Sequence, residues 1–186
     1  MAAWQESLEG TRSQVWSRWS RGVADRRCAT RHPTLCTVGL DGAPQARTVV
    51  LRACDPAEGM LEMHADLASA KIAELAAEPR AALHVWDARL KLQMRLAATV
   101  EVLSGEAVAT RWARVPEGPR RAYGGTPPPG AALEDPRAHD AEPTAERFAA
   151  LLARVEAIET LHLGPDLHRR ARFLRAEDWR GVWLAP

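Results

Sequence analysis

The sequence predicts a mainly β protein: an antiparallel β-barrel with short peripheral α-helices and an N-terminal helix. Two observations predict this class. From residue 34 onward, short apolar segments alternate with turns rich in Gly, Asp and Pro, which is the pattern of strands joined by hairpins. These turns are too short for the crossover that a parallel pair requires, so consecutive strands are expected to pair antiparallel. With 186 residues, the chain has the length of a single domain spanning 1–186.

The composition favours a cytoplasmic protein without nucleic-acid or membrane partners. The formal net charge is +1, which gives no support to a protein that coats nucleic acid or a membrane surface. No apolar run reaches the roughly 18–20 residues of a membrane span, and the charged N-terminus lacks the apolar core of a secretory signal. Cys28, Cys36 and Cys54 match no zinc-ligand spacing and fit a reducing compartment. We therefore expect no bound metal.

Changes in hydrophobic period divide the first part of the chain into elements. Apolar residues spaced three, four and seven apart over 4–26 predict an amphipathic helix within the N-terminal segment 1–28. Asp41-Gly42 is a hairpin signal, and Ser69 is a candidate cap for a short helix that ends near Pro79. The predicted strands are 34–40, 46–54, 60–65, 81–87 and 90–104, and the predicted helices are 69–80 and 105–115.

The remainder of the chain begins with an irregular segment. Residues 116–143 are rich in Pro, Gly, Ala and charge and lack periodicity, which predicts a long loop that is in part disordered. Residues 146–163 suit either a helix or a strand, and we favour a short helix to about residue 150 followed by a strand. The segments 170–177 and 178–186 predict two strands around a tight turn.

The chemistry-bearing residues are mostly basic. The sequence contains no HExxH, GxGxxG or P-loop motif. Arg47 and Arg52 bracket an apolar strand, while Ser69 and Lys71 lie at the start of a helix, where free N–H groups favour an anion. An Arg from the strand end with Ser69 and Lys71 would form a compact phosphate pocket, and Gln93 adds an amide in a neighbouring strand. Each of these residues, taken singly, also fits a solvated surface position or a surface ion pair.

The order of these residues carries a resemblance to a known family. The stretch RHPTLCTVGLDGAPQARTVVLRACD, followed by LEMHADLASAKIAELAAEPRAALHVWDARLKLQMRL, resembles the pyridoxamine 5′-phosphate oxidase-like family of FMN-binding split β-barrels. The tail RARFLRAEDWRGVWLAP is similar to the closing strands of that family. The resemblance covers residues 30–105 well and 155–186 moderately. It implies an antiparallel split β-barrel that binds FMN.

The resemblance also implies roles for individual residues. The flavin-binding segment of the family matches Arg47, Thr48, Val49, Val50, Leu51 and Arg52. In that match Arg47 contacts the FMN phosphate, and the residues from Val49 to Arg52 line the isoalloxazine ring. Ser69 and Lys71 match the Ser and Lys of the family's Ser-Arg-Lys, with Lys71 on the phosphate.

Other matched residues imply a site shared between two subunits. His64 and Ala65 match a pair that follows the third strand, commonly Tyr-Thr in the family. Gln93 and Arg172 match flavin contacts that the other subunit provides. The resemblance therefore implies an obligate homodimer with two FMN sites at the subunit interface.

Several positions depart from the family pattern. Ala70 replaces the middle Arg of Ser-Arg-Lys, which removes one phosphate partner. Arg52 replaces the Lys that faces the substrate in true pyridoxamine phosphate oxidases. Val115 falls where those enzymes carry an Arg for the substrate phosphate, and His168 falls near another substrate Arg. These changes are easier to reconcile with FMN binding than with vitamin B6 oxidation.

We therefore predict an FMN-dependent oxidoreductase that acts on a small unidentified substrate, with no residue assigned as catalytic. The first alternative is a true pyridoxamine or pyridoxine 5′-phosphate oxidase. The second is a binding module without turnover, holding FMN or the deazaflavin F420. A structural barrel without flavin is the remaining alternative.

Overall fold

The computed structural model describes residues 3–186 and confirms the mainly β, antiparallel architecture. The strands are β1 (Thr34–Val38), β2 (Pro44–Thr48), β3 (Leu51–Asp55), β4 (Met60–Asp66), β5 (Arg80–Asp87), β6 (Leu92–Ser104), β7 (Phe148–Leu163), β8 (His168–Leu174) and β9 (Gly181–Leu184). The helices are α1 (Leu8–Ala24), α2 (Ala70–Ala77), α3 (Ala109–Arg114) and α4 (Glu117–Arg120).

The two ends of the main sheet path are consecutive in the chain. The hydrogen-bonded order is β2-β1-β5-β6-β7-β4-β3, so β2 and β3 are the terminal strands of this path. Val49 and Val50 alone separate them in sequence. Because β2 and β3 do not pair with each other, the sheet is an open barrel, split along this seam.

Strand β7 changes its partner halfway along its length. Residues 148–154 pair with β4, whereas residues 157–163 pair with β8. Against β6, the register shifts between Ala97 and Ala98, and Glu156 is left without an opposite residue. A bulge of this kind bends a strand and increases its twist. It lies where β8 and β9 branch from the sheet.

The N-terminal helix covers the core. Helical spacing places Val15, Trp16 and Trp19 on one face of α1, where Trp19 is fully buried. These side chains pack in one cluster with the inward-facing residues of the strands. A smaller cluster around Phe148 and Tyr123 lies beneath α3. None of the helices in residues 3–186 is long and apolar enough to cross a membrane.

Two of the predicted elements differ from those in the structure. The segment 46–54 is not one strand, because β2 ends at Thr48 and β3 begins at Leu51. The short helix predicted to residue 150 is a single 3-10 turn, Ala145–Arg147, and β7 begins immediately after it. Residues 148–151 are buried on both faces of the sheet, so their continuous apolar run lacks the alternation that marks a half-exposed strand.

The irregular region and the C-terminal strands also differ in detail from the prediction. The segment 116–143 contains the short helix α4, and its Tyr123 is only 4% exposed, so this segment contributes to the core. The final strands begin and end at different residues from those predicted, with β8 at His168–Leu174 and β9 at Gly181–Leu184. The assignment of 1–186 to a single domain stays a prediction.

Candidate functional site

The segment predicted to bind the flavin lies at the seam of the split barrel. Val49 is buried, and its N–H donates to the carbonyl oxygen of Pro33 at 3.0 Å. Neither Val49 nor Val50 takes part in the strand ladders of β2 or β3 within the described residues. Backbone polar groups outside a ladder need other partners, and a planar ring with donors and acceptors along its edge is one such partner.

Arg47, at the end of β2, is paired with a buried carboxylate. Its Nη2 donates to Oε2 of Glu74 at 2.7 Å, and its Nη1 donates to the hydroxyl of Thr37. The Thr37 hydroxyl donates to the same Glu74 oxygen at 2.5 Å. The Glu74 side chain is 7% exposed and that of Arg47 is 23% exposed. These contacts fix the guanidinium and leave some of its N–H groups for another acceptor.

Lys71 lies on α2, three residues before Glu74 and therefore on the same side of the helix. Burial lowers the pKa of Lys71, and the nearby charge of Arg47 lowers it further, while Glu74 and Asp66 act in the opposite direction. A partly buried pair of cations is an environment that a bound anion would stabilise. The structure thus brings Arg47 and Lys71 together, as the predicted phosphate pocket requires.

Ser69 is at the N-cap position of α2, but its side chain does not cap the helix. Its hydroxyl instead donates to the carbonyl oxygen of Asp66 at 2.6 Å. The Asp66 carboxylate is buried and accepts hydrogen bonds from Arg147 and from the N–H of Gly124, which ties the irregular segment to this turn. The predicted cap is therefore wrong, and the role of Ser69 at a phosphate stays a prediction.

A groove of about 540 Å³ lies beside the first residues of β3. Arg52 and His64 contribute to its lining, which places two of the predicted flavin contacts in one cavity. Ala65 is buried and, as the next residue in the strand, points to the opposite face of β4. The other charged residues of the groove are Arg31, Glu62, Arg111 and Arg114.

Gln93 and Arg172 lie elsewhere on the chain, on the face of the sheet that points away from the core. Their neighbours Met94 and Ala171 are fully buried, so the alternation of a strand directs Gln93 and Arg172 outward. In the strand order, β6 is separated from β2 by β1 and β5, and β8 lies beyond β7. The single chain therefore does not bring these two residues together with Arg47 and Lys71.

The surroundings of Arg172 form a shallow groove of about 250 Å³ on this outer face. Its floor consists of small residues, including Ala82, Ala97 and Ala157. Next to it, Glu159 binds Arg95 and Arg170 at 2.7 Å each. Arg172 itself forms no ion pair with the residues that the structure describes, so its guanidinium is available to another group.

Sequence reasoning missed the carboxylates of the site. Glu74 follows Lys71 at the i+3 spacing of one helix face, and Glu62 precedes His64 at the i+2 spacing of one strand face. Both spacings are visible in the sequence, but only the fold shows that Glu74 is buried against Arg47 and that Glu62 is partly buried against Arg111. Within residues 3–186 the structure forms no cluster of three or more His, Cys, Asp and Glu side chains that would hold a metal.

The fold and the site thus define an open antiparallel barrel with a candidate phosphate pocket at its seam. The family described as "Pyridoxamine 5′-phosphate oxidase, FMN-binding domain" matches residues 1–104, which is more than half of the chain. The chain belongs to this family. FMN is therefore the cofactor that family membership assigns to it.

Curated relatives agree with this assignment. The chain is 34% identical over 153 residues to the pyridoxine/pyridoxamine 5′-phosphate oxidase of Thermosynechococcus vestitus, covering 82% of this chain and 62% of the relative. It is 39% identical over 93 residues to the enzyme of that name from Microcystis aeruginosa, covering 50% of this chain and 42% of the relative. The chain thus spans less than two thirds of the length of these two relatives.

Solved structures share the fold. A pyridoxamine 5′-phosphate oxidase-related, FMN-binding protein from Nostoc punctiforme superposes with a TM-score of 0.76 at 22% identity, covering 94% of this chain and 96% of that one. PhzG from Burkholderia lata, solved in complex with tetrahydrophenazine-1-carboxylic acid, gives a TM-score of 0.72 at 19% identity, covering 94% of this chain and 92% of that one.

The residues at the seam fit an FMN molecule. Arg47 and Lys71 are adjacent cations at one end of the seam, where a phosphate would offset their repulsion. At the other end, Nε of Arg52 is buried and has no hydrogen-bond partner within residues 3–186. A buried donor without an acceptor lowers the stability of the folded protein, and a ligand that supplies the acceptor removes this penalty. Both ends of the segment therefore present donors suited to an anionic, acceptor-rich cofactor.

Proposed function

We propose that the chain is an FMN-dependent oxidoreductase acting on a small molecule. The observation that supports this most strongly is the pair Arg47 and Lys71, two partly buried cations held side by side at the seam. When bound, FMN supplies two-electron redox chemistry, which the protein directs through placement and electrostatics. The chain's own residues hold the phosphate with Arg47 and Lys71 and provide backbone and side-chain donors from Val49 to Arg52.

The buried carboxylate Glu74 sets the charge balance of the pocket. It holds the Arg47 guanidinium in place and offsets part of the positive charge before any phosphate binds. Ala70, which replaces an Arg in the family pattern, leaves Arg47 and Lys71 as the cations that we assign to the pocket. We therefore expect the affinity for FMN to depend strongly on each of them.

We further propose a homodimer in which Gln93 and Arg172 of one subunit complete the site of the other. Both residues lie on the outer face of the sheet, apart from the Arg47 and Lys71 pocket of their own chain. The small side chains of Ala82, Ala97 and Ala157 near Arg172 would allow close approach of a second sheet surface. The three cysteines are unpaired, which supports a reducing, cytoplasmic location.

The second candidate function is oxidation of pyridoxamine or pyridoxine 5′-phosphate. Val115, which stands where those enzymes carry an Arg, is buried, but Arg111 and Arg114 line the same groove from α3. Cations near the substrate position are thus present despite the departure at Val115. Release of pyridoxal phosphate and hydrogen peroxide from purified protein would support this candidate, and their absence with a bound flavin would favour another substrate.

The test of the proposed function is a visible absorption spectrum of freshly purified protein, with the released chromophore identified by mass. The proposal requires an oxidised flavin spectrum and FMN released at one per subunit. Release of F420 instead of FMN would identify F420 as the cofactor. A colourless protein that takes up no added FMN would overturn the proposal and favour a barrel without flavin.

A further inference from the structure

Arg31 joins the end of the N-terminal helix to the segment that we assign to the flavin. One nitrogen of its guanidinium, Nη1, donates to the carbonyl oxygen of Val23 at 2.7 Å and to that of Leu51 at 2.9 Å. A longer contact of 3.4 Å reaches the carbonyl oxygen of Gly22. Gly22 and Val23 belong to the last turn of α1, whose carbonyl groups have no partner within the helix, whereas Leu51 begins β3. A single side chain therefore links α1 to the seam.

The backbone around Arg31 is itself held tightly against α1. Residues Ala29–Arg31 form a 3-10 turn, and the buried hydroxyl of Thr30 donates to the carbonyl oxygen of Arg18 at 2.6 Å. The turn approaches α1 so closely that a Cβ atom on Gly22 would lie 2.9 Å from the carbonyl carbon of Thr30. The fold thus gives the Arg31 side chain a fixed base from which it reaches β3.

The seam segment needs this support, because strand pairing leaves part of it unfixed. The register between β3 and β4 shifts after Leu51, so Arg52 has no opposite residue in β4. At the other end of the segment, the N–H of Val49 donates to the carbonyl oxygen of Pro33 at 3.0 Å. Arg31 and Pro33, two residues apart in the chain, therefore hold the seam segment at two points.

The contact with Leu51 orients one peptide group. The bond between Leu51 and Arg52 is trans, so its carbonyl oxygen and its N–H point to opposite sides of the chain. Since the oxygen faces Arg31, the N–H of Arg52 faces away from it. A hydrogen bond from a charged donor also polarises the peptide group, which makes its N–H a stronger donor.

We propose that Arg31 is a positioning residue for the flavin ring: it fixes the Leu51–Arg52 peptide, so that the N–H of Arg52 is held in place as a donor to the ring. The inference rests on the proposed function, in which the segment from Val49 to Arg52 provides donors to the flavin. Because Arg31 acts on the ring and not on the phosphate, its loss should weaken FMN and riboflavin binding by the same factor. If Arg31 only caps α1, its loss should leave both affinities unchanged.

The test uses Arg31→Met, which removes the charge and the donors but keeps an unbranched side chain. The matched control is Arg175→Met, because Arg175 also donates to backbone carbonyl oxygens, at 2.7 Å to those of Val155 and Glu58, but at the opposite end of β3. Denaturant unfolding first establishes the conditions under which the full-length variants are folded. We expect Arg31→Met to bind FMN and riboflavin about fivefold more weakly than the wild type, the equivalent of one hydrogen bond. Arg175→Met should bind both flavins as the wild type does.

Two further measurements separate positioning from support of the fold. A donor held toward the ring favours the electron-rich reduced flavin, so the midpoint potential of bound FMN should be more negative in Arg31→Met and unchanged in Arg175→Met. Arg31→Lys keeps a charged donor and should bind riboflavin more tightly than Arg31→Met. An unchanged potential in Arg31→Met, or equal riboflavin affinities of Arg31→Lys and Arg31→Met, would overturn the proposal.

The wild type provides a test that needs no variant. In ¹⁵N-labelled protein, the amide hydrogen of Arg52 should exchange with solvent more slowly when riboflavin is bound, because a hydrogen-bonded amide is protected. Unchanged exchange of this amide in protein saturated with riboflavin would contradict the proposal, even where Arg31→Met does not fold.

The failure of this inference differs from the failure of the proposed function. If the wild type binds neither FMN nor riboflavin, the proposed function fails, and the role of Arg31 fails with it. If the wild type binds FMN and Arg31→Met binds both flavins equally well, the role of Arg31 fails and the proposed function stands.

Discussion

The seam and the outer face of the sheet differ in how their arginines are paired with carboxylates. At the seam, Arg47 is fixed by Glu74 and stands next to Lys71, so the positive charge is organised within one chain. On the outer face, Arg172 has no ion-pair partner among the described residues, although its neighbours Arg95 and Arg170 are both bound to Glu159.

This difference indicates which part of the site one chain completes alone. A buried cation needs a compensating carboxylate during folding, because an isolated buried charge is strongly destabilising. An exposed cation needs none, and it stays available for a partner. The seam therefore agrees with the preformed pocket that we propose, whereas Arg172 and Gln93 agree with the proposed interface that a second subunit completes.

Arg47→Ala should have the largest effect, because it acts on both stability and binding. The buried Glu74 loses its partner, which should lower the free energy of unfolding by about 3 kcal/mol. The affinity for FMN should fall by about 1.5–3 kcal/mol, the scale of a hydrogen bond to a charged group. Denaturant unfolding and flavin fluorescence quenching measure the two effects separately.

Adding Glu74→Gln to Arg47→Ala sharpens this prediction. The double variant no longer buries an unpaired charge, so much of its stability should return while FMN binding remains weak. Recovery of FMN affinity together with stability would contradict a direct role of Arg47 at the phosphate.

Lys71→Gln should weaken FMN binding by about 1.5–3 kcal/mol without a comparable loss of stability. The burial and the Arg47 charge that lower the pKa of Lys71 disfavour its charged form in the folded protein, so removing the charge does not destabilise the fold. Lys91→Gln, at an exposed turn outside the seam, is the matched control and should bind FMN as the wild type does. Equal affinities of Lys71→Gln and Lys91→Gln for FMN would show that Lys71 does not contribute to the pocket.

Arg172→Ala should weaken FMN binding by about 1.5 kcal/mol, at the lower end for a charged hydrogen bond because the side chain is exposed. If it acts in the partner's site, subunits carrying Arg172→Ala mixed with subunits carrying Lys71→Gln should form some intact sites. Random exchange would restore roughly a quarter of the sites to full affinity. No restoration in dimers shown to have exchanged subunits would place Arg172 outside the shared site.

The smallest predicted effect is the change of FMN affinity with pH. Because the pKa of Lys71 is lowered in the free protein, this side chain loses its charge at a lower pH than an ordinary lysine. FMN binding, which needs the charged form, should weaken as the pH rises through that lowered pKa, and Lys71→Arg should abolish this decline. If FMN affinity declines with pH to the same extent in the Lys71→Arg variant, the decline arises from the titration of another group.

The sequence was sufficient to predict the antiparallel architecture and to single out the basic residues that lie at the seam. Hydrophobic alternation marked most strands. The charge of Arg47 acts on Lys71 in the structure, while their role at a phosphate stays a prediction. The break between β2 and β3 was missed, because the apolar run TVVL is equally compatible with one strand. Strand β7 was misjudged at its start, where burial on both faces removed the alternation that distinguishes strand from helix.

The partners of the site residues were less predictable than the residues themselves. Glutamates are ordinarily surface residues, and the pairing of Glu62 with Arg111 and of Glu74 with Arg47 depends on how α2, α3 and β4 pack. Contacts between distant segments of this kind arise from tertiary structure, so local spacing indicates only that they are geometrically allowed.

The most direct test of the central claim, a preformed phosphate pocket at the seam, compares FMN with riboflavin, which lacks the phosphate. Both are titrated into the wild type and into Lys71→Gln, with fluorescence quenching as the readout. We expect the wild type to bind FMN far more tightly than riboflavin, and the variant to lose most of that difference while its riboflavin affinity is unchanged. Equal affinity of the wild type for the two flavins would contradict the pocket.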